Sequence, residues 1–326
     1  MIYPQFLKQD ETIGICAPSA GVGEYPDDFD ASLKTLKKHY RIKETAHVRE
    51  AGDRGGDAMT RGKEFNELVN DPEVKMIMAA SGGDFLNEMI PYIDFEAVKQ
   101  HPKWILGASD PTGILLPVTT MCDIATLYGC NAGSFDPKNQ NEMSHYPLDI
   151  IQGNIPVQHS SQMHSEKADF LPDYHGLDTP TRWQSSTPVL SETGRCIGGC
   201  IDVLKDLIGT KFDHVTEFVE RYKEDGIIWY FDNFSLSAES FYRTLCQFRY
   251  ASWFKYTKAV IVGRVLFESS DTGMTYEEAL KRAIGDLPYV YEADIGHTSP
   301  AMTMINGAIM HLQYQDGKGT ISFRLR

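Results

Sequence analysis

Three apolar runs in the first third of the chain end alike. TIGICAPS (12–19), VKMIMAAS (74–81) and WILGAS (104–109) each lead bulky or β-branched residues into a small residue and a serine. Between them lie stretches with helical spacing, such as DDFDASLKTLKKHY (27–40), whose acids come early and lysines late, as the helix dipole favours. RIKET (41–45) adds a further short strand, and Thr60 is placed to cap a helix through 61–70. Strand and helix alternating at this rhythm can bury all of these runs only as a parallel sheet with helices on both faces. In such sheets functional groups collect at the carboxyl ends of the strands. Pro18-Ser19, Gly82-Gly83 and Ser109 are all expected at that edge.

The middle of the chain breaks the rhythm. Residues 132–190 are rich in Pro, Ser, Asn, Gln and His, with little periodicity, and read as a linker with short pieces of structure. Order resumes with GGCIDVLKDLIGT (198–210), read as a turn, a helix and a glycine stop. GIIWYFDNF (226–234), AVIVGRV (259–265) and YVYEADIGH (289–297) follow as strands. Ser237 and Thr275 are expected helix caps, and the tail reads as two strands around Asp-Gly-Lys-Gly. A chain of 326 residues with such a break divides most simply into two domains, 1–165 and 166–326.

Composition excludes several functions. Acidic residues outnumber basic ones by 45 to 31, a formal charge of −14, which argues against nucleic-acid or anionic-membrane partners. No apolar stretch approaches a membrane span, and the N-terminus lacks the pattern of a signal peptide. The six cysteines form no CxxC pair, as expected of reduced thiols in a cytoplasmic protein. No GxGxxG follows a strand, there is no GxxxxGK[ST], and no His, Cys or carboxylate set has metal-ligand spacing. Neither cofactor nor metal is therefore expected.

Three strand ends carry groups that could act together. Ser109 sits on a presumptive strand-to-helix turn, where a serine is exposed and the following N–H groups, Asp110 first, can face an oxyanion. The same Ser-Asp-Pro is also a good helix start, so Ser109 is either a nucleophile or a cap. Asp232 ends its strand and could orient an imidazolium, or could cap a turn. His297, after Gly296, could be a general base or a structural turn residue. Gly82 and Gly83 let the backbone approach a ligand. Trp183, in the middle segment, is either a structural tryptophan or a ligand contact.

Taken together, these segments resemble the LD-carboxypeptidase family of serine peptidases, which includes the microcin C immunity peptidases. IGICAPSAG (13–21), RGKEFNELVNDPEVKMIMAASGGD (61–84), YIDFEAVKQHPKWILGASDPTGIL (92–115), IGGCIDVLKDLIGT (197–210), the stretch 229–264 and IGHTSPAMTMINGA (295–308) carry the likeness. The resemblance implies a flavodoxin-like N-terminal domain and a smaller, β-rich α/β C-terminal domain. It implies Ser109 as nucleophile, His297 as base and Asp232 as the acid, where the family normally has glutamate. Asp110 and Gly83 would form the oxyanion hole, with Gly82 and Trp183 beside the substrate. Cys200 stands where asparagine is usual. The implied reaction is metal-free hydrolysis of an amide near a free carboxylate. The implied substrates are murein L,D-peptides or microcin C-like peptide-nucleotide conjugates, and the implied assembly is a homodimer. SGGDFLNEMIPYIDF and WYFDNFSL look more like the immunity branch. The departures from pattern motivate a second reading, a member that binds peptide or glycan without cleaving it. An ordinary α/β-hydrolase esterase shares the order Ser, Asp, His but needs a G-x-S-x-G that is absent here.

Overall fold

The computed structural model describes residues 1–168, 171 and 174–326. It divides into two compact units, Met1–Asn154 with Thr303–Asn306, and Ile155–Met302 with Gly307–Arg326.

The first unit is built on β1 (Thr12–Cys16), β2 (Arg41–Glu44), β3 (Val74–Ala79), β4 (Trp104–Gly107) and β5 (Thr126–Tyr128). These strands lie parallel in the order 2-1-3-4-5, the flavodoxin-like arrangement. All five residues of β1 and all four of β4 are buried, so both faces of the sheet are covered, as a parallel sheet requires. The connecting helices are α1 (Pro26–Leu36), α2 (Ala58–Asn70), α3 (Leu86–Met89), α4 (Phe95–Gln100) and α5 (Thr112–Cys122). Proline at its start and Asp27 and Asp28 in its first turn favour α1. The cap of α2 is Asp57, whose carboxylate accepts the Thr60 N–H, and not Thr60 itself. Asp at the position three residues earlier out-competes threonine because its side chain reaches that orphan donor. A short helix, α6 (Tyr146–Ile151), closes this stretch of chain.

The middle segment contributes only two-residue strands: β6 (Gln158–His159), β7 (Met163–His164), β8 (Thr179–Pro180) and β9 (Gln184–Ser185). β6 and β9 are the two edges of the second unit's eight-stranded sheet. Residues 155–190 are thus an integral part of that unit, whereas 132–154 belong to the first, and the second unit is not the smaller of the two. The central strands are β10 (Val189–Cys200), β11 (Ile227–Asp232), β12 (Thr257–Gly263) and β13 (Tyr289–Ala293), all parallel. Their helices are α7 (Ile201–Leu207), α8 (Val215–Arg221), α9 (Ala238–Tyr250) and α10 (Tyr276–Ile284). Ser237 and Thr275 cap α9 and α10 as their sequence predicts. β14 (Met304–Asn306) leaves this unit to pair antiparallel with β5 in the first. β15 (Ile309–Gln315) and β16 (Lys318–Arg324) then form the expected tail hairpin.

Gly198 and Gly199 are not a turn, because β10 runs straight through them. A Cβ at Gly198 would lie 1.9 Å from the Tyr230 carbonyl oxygen, so glycine here permits close strand approach. No helix among the described residues is long and apolar enough to cross a membrane.

Behind β11 lies an aromatic wall. Trp229 stacks on Trp253 at 5.5 Å and on Phe231 at 5.6 Å, and Phe248 stacks on Trp253 at 4.4 Å. Trp253→Ala removes the centre of this wall and should cost about 3–5 kcal/mol. A urea unfolding midpoint within error of wild type would contradict that placement.

Candidate active site

Ser109 lies two residues past the end of β4 and has a φ of 66°, the left-handed region that a residue with a side chain rarely occupies. It does not cap α5. The N-cap of that helix is Pro111, with no side-chain cap, and the Ser109 carbonyl accepts the Thr112 N–H. The turn is pinned on both sides. Asn131 accepts the Ala108 N–H at 3.0 Å and donates to the Ala108 carbonyl at 3.3 Å, and the Tyr128 hydroxyl accepts the Ser109 N–H at 3.2 Å. The N–H of Ser109 is thereby taken, which leaves that of Asp110 as the nearer candidate to face an oxyanion. The half-buried serine lies beside Gly82, where an added Cβ would come within 3.1 Å of the Ser109 Cβ and 3.4 Å of its Oγ. Gly83 has a φ of 141°, and a Cβ there would sit 2.4 Å from the Ser19 Oγ. The double glycine is thus what lets this loop lie between Ser109 and Ser19.

The Asp110 side chain does a different job from its backbone. Its buried carboxylate accepts a short hydrogen bond from the Ser19 hydroxyl and another from the Leu86 N–H at 2.9 Å. Burial pushes its pKa above the usual carboxylate value, although both hydrogen bonds and the charge of Arg61 act in the other direction.

The second unit brings Asp232 and His297 together. Strand alternation sends Trp229 and Phe231 to the aromatic wall and Asp232 to the opposite face of β11, at its carboxyl end. Asp232 is fully buried, and its Oδ2 lies 2.8 Å from Nδ1 of His297. This is the distance of a direct ion pair. Gly296 makes the approach possible, since a Cβ at that position would lie 2.1 Å from the Asp232 Oδ1. Phe234 packs on the imidazole with ring centroids 4.6 Å apart. Asp202, at the start of α7, accepts the N–H groups of Phe234 and Ser235 and so fixes the turn that carries Phe234.

Burial alone would lower the His297 pKa. The charge of Asp232 and its contact with the ring, with a further contribution from Asp202, more than offset that and raise it above the ordinary 6.5.

The turn bearing His297 is anchored by a buried ion pair. Arg264 Nη2 lies 2.9 Å from Asp294 Oδ1, and the same guanidinium donates to the Thr298 hydroxyl and the Pro300 carbonyl. The other Asp294 oxygen accepts from the Ser161 N–H at 2.9 Å and from the indole N–H of Trp183 at 2.8 Å. Trp183 is thus bound into the anchor of the His297 turn. It is fully buried against Gly319, with its only polar atom engaged by Asp294.

Sequence reasoning missed Ser19's contact with Asp110, and also Arg61, Tyr128, Asn131, Asp202, Phe234, Arg264 and Asp294. None of these lies in a periodic or motif-like setting that links it to its partner.

The match to known proteins follows the same two units. Residues 13–129 match the LD-carboxypeptidase N-terminal domain and residues 193–312 the LD-carboxypeptidase C-terminal domain, together most of the chain. The chain belongs to the LD-carboxypeptidase family. It is thus a serine hydrolase of the carboxypeptidase type. A Vibrio cholerae protein named as a carboxypeptidase is 27% identical over 338 residues, covering 99% of this chain and 96% of that protein. The microcin C7 self-immunity protein MccF of Escherichia coli is 23% identical, over 81% of this chain and 78% of its own. A solved structure of MccF in complex with aspartyl sulfamoyl adenosine matches with a TM-score of 0.82 at 20% identity, over 100% of this chain and 99% of that one. Muramoyltetrapeptide carboxypeptidase from Oxalobacter formigenes matches with a TM-score of 0.73 at 20% identity, over 96% and 98%. At these identities the structures establish the shared two-domain fold.

The raised His297 pKa can be measured by NMR titration of its imidazole. The midpoint should lie above 6.5 in wild type and fall in Asp232→Asn. The pairing should stabilise the fold in full below about pH 6.5 and lose that contribution as pH rises through the raised folded value. An Asp232→Asn titration that coincides with wild type would show that the carboxylate does not govern His297.

Proposed function

We propose that Ser109, His297 and Asp232 act as one catalytic triad that hydrolyses an amide near a free carboxylate. The observation that carries the reading is the pair of prepared halves: a serine in left-handed backbone at a strand-to-helix turn, and an aspartate–histidine pair at 2.8 Å. The chain also runs from the His297 turn into β14 within a few residues, and Met304 of that strand pairs with Tyr128, the partner of the Ser109 N–H.

The chemistry follows from these groups. With Nδ1 of His297 turned to Asp232, Nε2 is the nitrogen left to take the Ser109 proton. Ser109 Oγ attacks the carbonyl carbon, and the oxyanion that forms is met by the N–H groups of Asp110 and Gly83. His297 returns the proton to the leaving nitrogen, and water then cleaves the acyl-enzyme with the same base. Asp232 is one methylene shorter than the glutamate of the family pattern. The close approach allowed by Gly296 compensates, which favours a working enzyme over a member that only binds.

The substrate class we favour is a peptidyl- or aminoacyl-nucleotide conjugate. Its support is the similarity to MccF in fold over the whole chain, together with the SGGDF and WYFDNF segments. A murein tetrapeptide losing its terminal D-Ala is the second reading, supported by the likeness to the Oxalobacter enzyme. The family resemblance also carries a cytoplasmic homodimer as the expected setting.

Purified wild type and Ser109→Ala should be incubated with an aminoacyl sulfamoyl adenylate and, separately, with murein tetrapeptide, and the products weighed by mass spectrometry. Cleavage of the adenylate by wild type only is the expected result, with Ser109→Ala slower by at least about 10⁴-fold. D-Ala release alone would select the murein reading. No cleavage of either, and no labelling of Ser109 by a fluorophosphonate, would favour the binding-only member. Because His297 must be neutral to act as base, kcat/KM should rise with pH through a midpoint above 6.5. Asp232→Asn should move that midpoint down while lowering the plateau.

A further inference from the structure

Two buried charges in the first unit clip the same pair of loops. From α2, the Arg61 guanidinium donates to the Pro18 carbonyl at 3.0 Å and to the Phe85 carbonyl at 2.9 Å. From the turn after Ser109, the Asp110 carboxylate accepts from the Ser19 hydroxyl and from the Leu86 N–H. Pro18-Ser19 follow β1, and Phe85-Leu86 follow the Gly82-Gly83 loop after β3. One charge therefore satisfies the acceptors of both loops, and the other satisfies donors of both, at adjacent residues. The Ser19 hydroxyl also accepts the Phe85 N–H at 3.3 Å, and the Ala20 N–H donates to the Gly82 carbonyl at 3.0 Å. Glu88 lies 3.0 Å from Nη2 of Arg61, whose side chain is fully buried.

The Gly82-Gly83 loop has no side chains with which to hold itself. Its position beside Ser109 depends on what grips its ends. An oxyanion donor is effective only within a few tenths of an ångström of its place.

We propose that Arg61 and Asp110, the latter through Ser19, are positioning residues that hold the Gly82-Gly83 loop in register with Ser109. The proposal rests on Ser109 being the nucleophile. The side chain of Asp110 thus has a role separate from that of its backbone N–H, and Arg61 acts without touching substrate.

The test is the inactivation of Ser109 by an alkyl fluorophosphonate, which separates binding from reaction without choosing a substrate. Wild type, Asp110→Asn, Ser19→Ala and Arg61→Lys are compared for kinact and KI, with circular dichroism and thermal melting to confirm folding. In Asp110→Asn and Ser19→Ala, kinact should fall by about 10- to 100-fold with KI within about twofold, because the loop donates to the forming oxyanion and not to the resting inhibitor. Arg61→Lys keeps the charge and can still reach one carbonyl, so it should lie between these and wild type. Should Asp110→Asn fail to fold, Ser19→Ala decides, since it removes one hydroxyl and no charge. Folded variants with wild-type kinact would overturn the proposal, as would a fall in kinact that only tracks the fraction folded. A wild type that is not labelled at Ser109 overturns the nucleophile assignment and this inference with it. Labelled wild type with equal variants overturns this inference alone.

Discussion

A serine held at a φ of 66° carries backbone strain of about 1–3 kcal/mol, and it keeps that conformation only where its surroundings leave no alternative. The first unit supplies such surroundings. β4 enters the turn fully buried, and α5, buried over most of its length, leaves it. Asn131 and Tyr128 hold the two peptide groups in between, and the Asp110 side chain is committed to two donors from other loops. These partners come from three other strand ends, those of β1, β3 and β5. The parallel sheet brings those ends to one edge, and the strained turn is then fixed by hydrogen bonds that span the edge and not by its own sequence.

The second unit solves a different problem with the same means. A charged carboxylate buried under an imidazole is costly unless both are paired and their loops immobile. Asp232 is immobile because it ends a central strand backed by stacked tryptophans. His297 sits on a loop, and its fixation is delegated to Arg264 and Asp294. That buried ion pair also collects Ser161, Trp183 and Thr298, so the irregular middle segment is tied to the histidine turn by named hydrogen bonds. The segment's lack of periodicity reflects this role. Its residues are chosen for single contacts with a loop and not for a repeating face.

The sequence made legible what repeats or ends a repeat. The parallel order of the first sheet, the tail hairpin and the caps at Ser237 and Thr275 follow from spacing and turn chemistry. Ser109, Asp232 and His297 stood out because each closes an apolar run. What stayed hidden involves residues joined across long stretches of chain. Arg61 to Phe85, Ser19 to Asp110 and Trp183 to Asp294 leave no trace in local pattern, because each contact is made once. Gly198-Gly199 were misread as a turn for a related reason. Glycine marks close backbone approach as well as reversal, and only the neighbouring strand decides between them.

The exchange of glutamate for aspartate in the family pattern follows the same logic. Shortening the acid by one methylene withdraws the carboxylate from a histidine whose loop is anchored independently. The loop must then come closer or the pair is lost. Gly296 permits such an approach: with a φ of 105° and no Cβ, it leaves the Asp232 oxygen a space that any side chain would occupy. The imidazole meets Oδ2 at 2.8 Å. At that distance the Coulomb attraction between the carboxylate and a protonated imidazole is strong, and it depends on distance and hardly on angle. The raised pKa of His297 is consistent with this: burial opposes it, and the charge of Asp232 is the largest opposing contribution. A shorter acid therefore still holds its histidine chiefly by charge, provided that the residue before the histidine has no side chain.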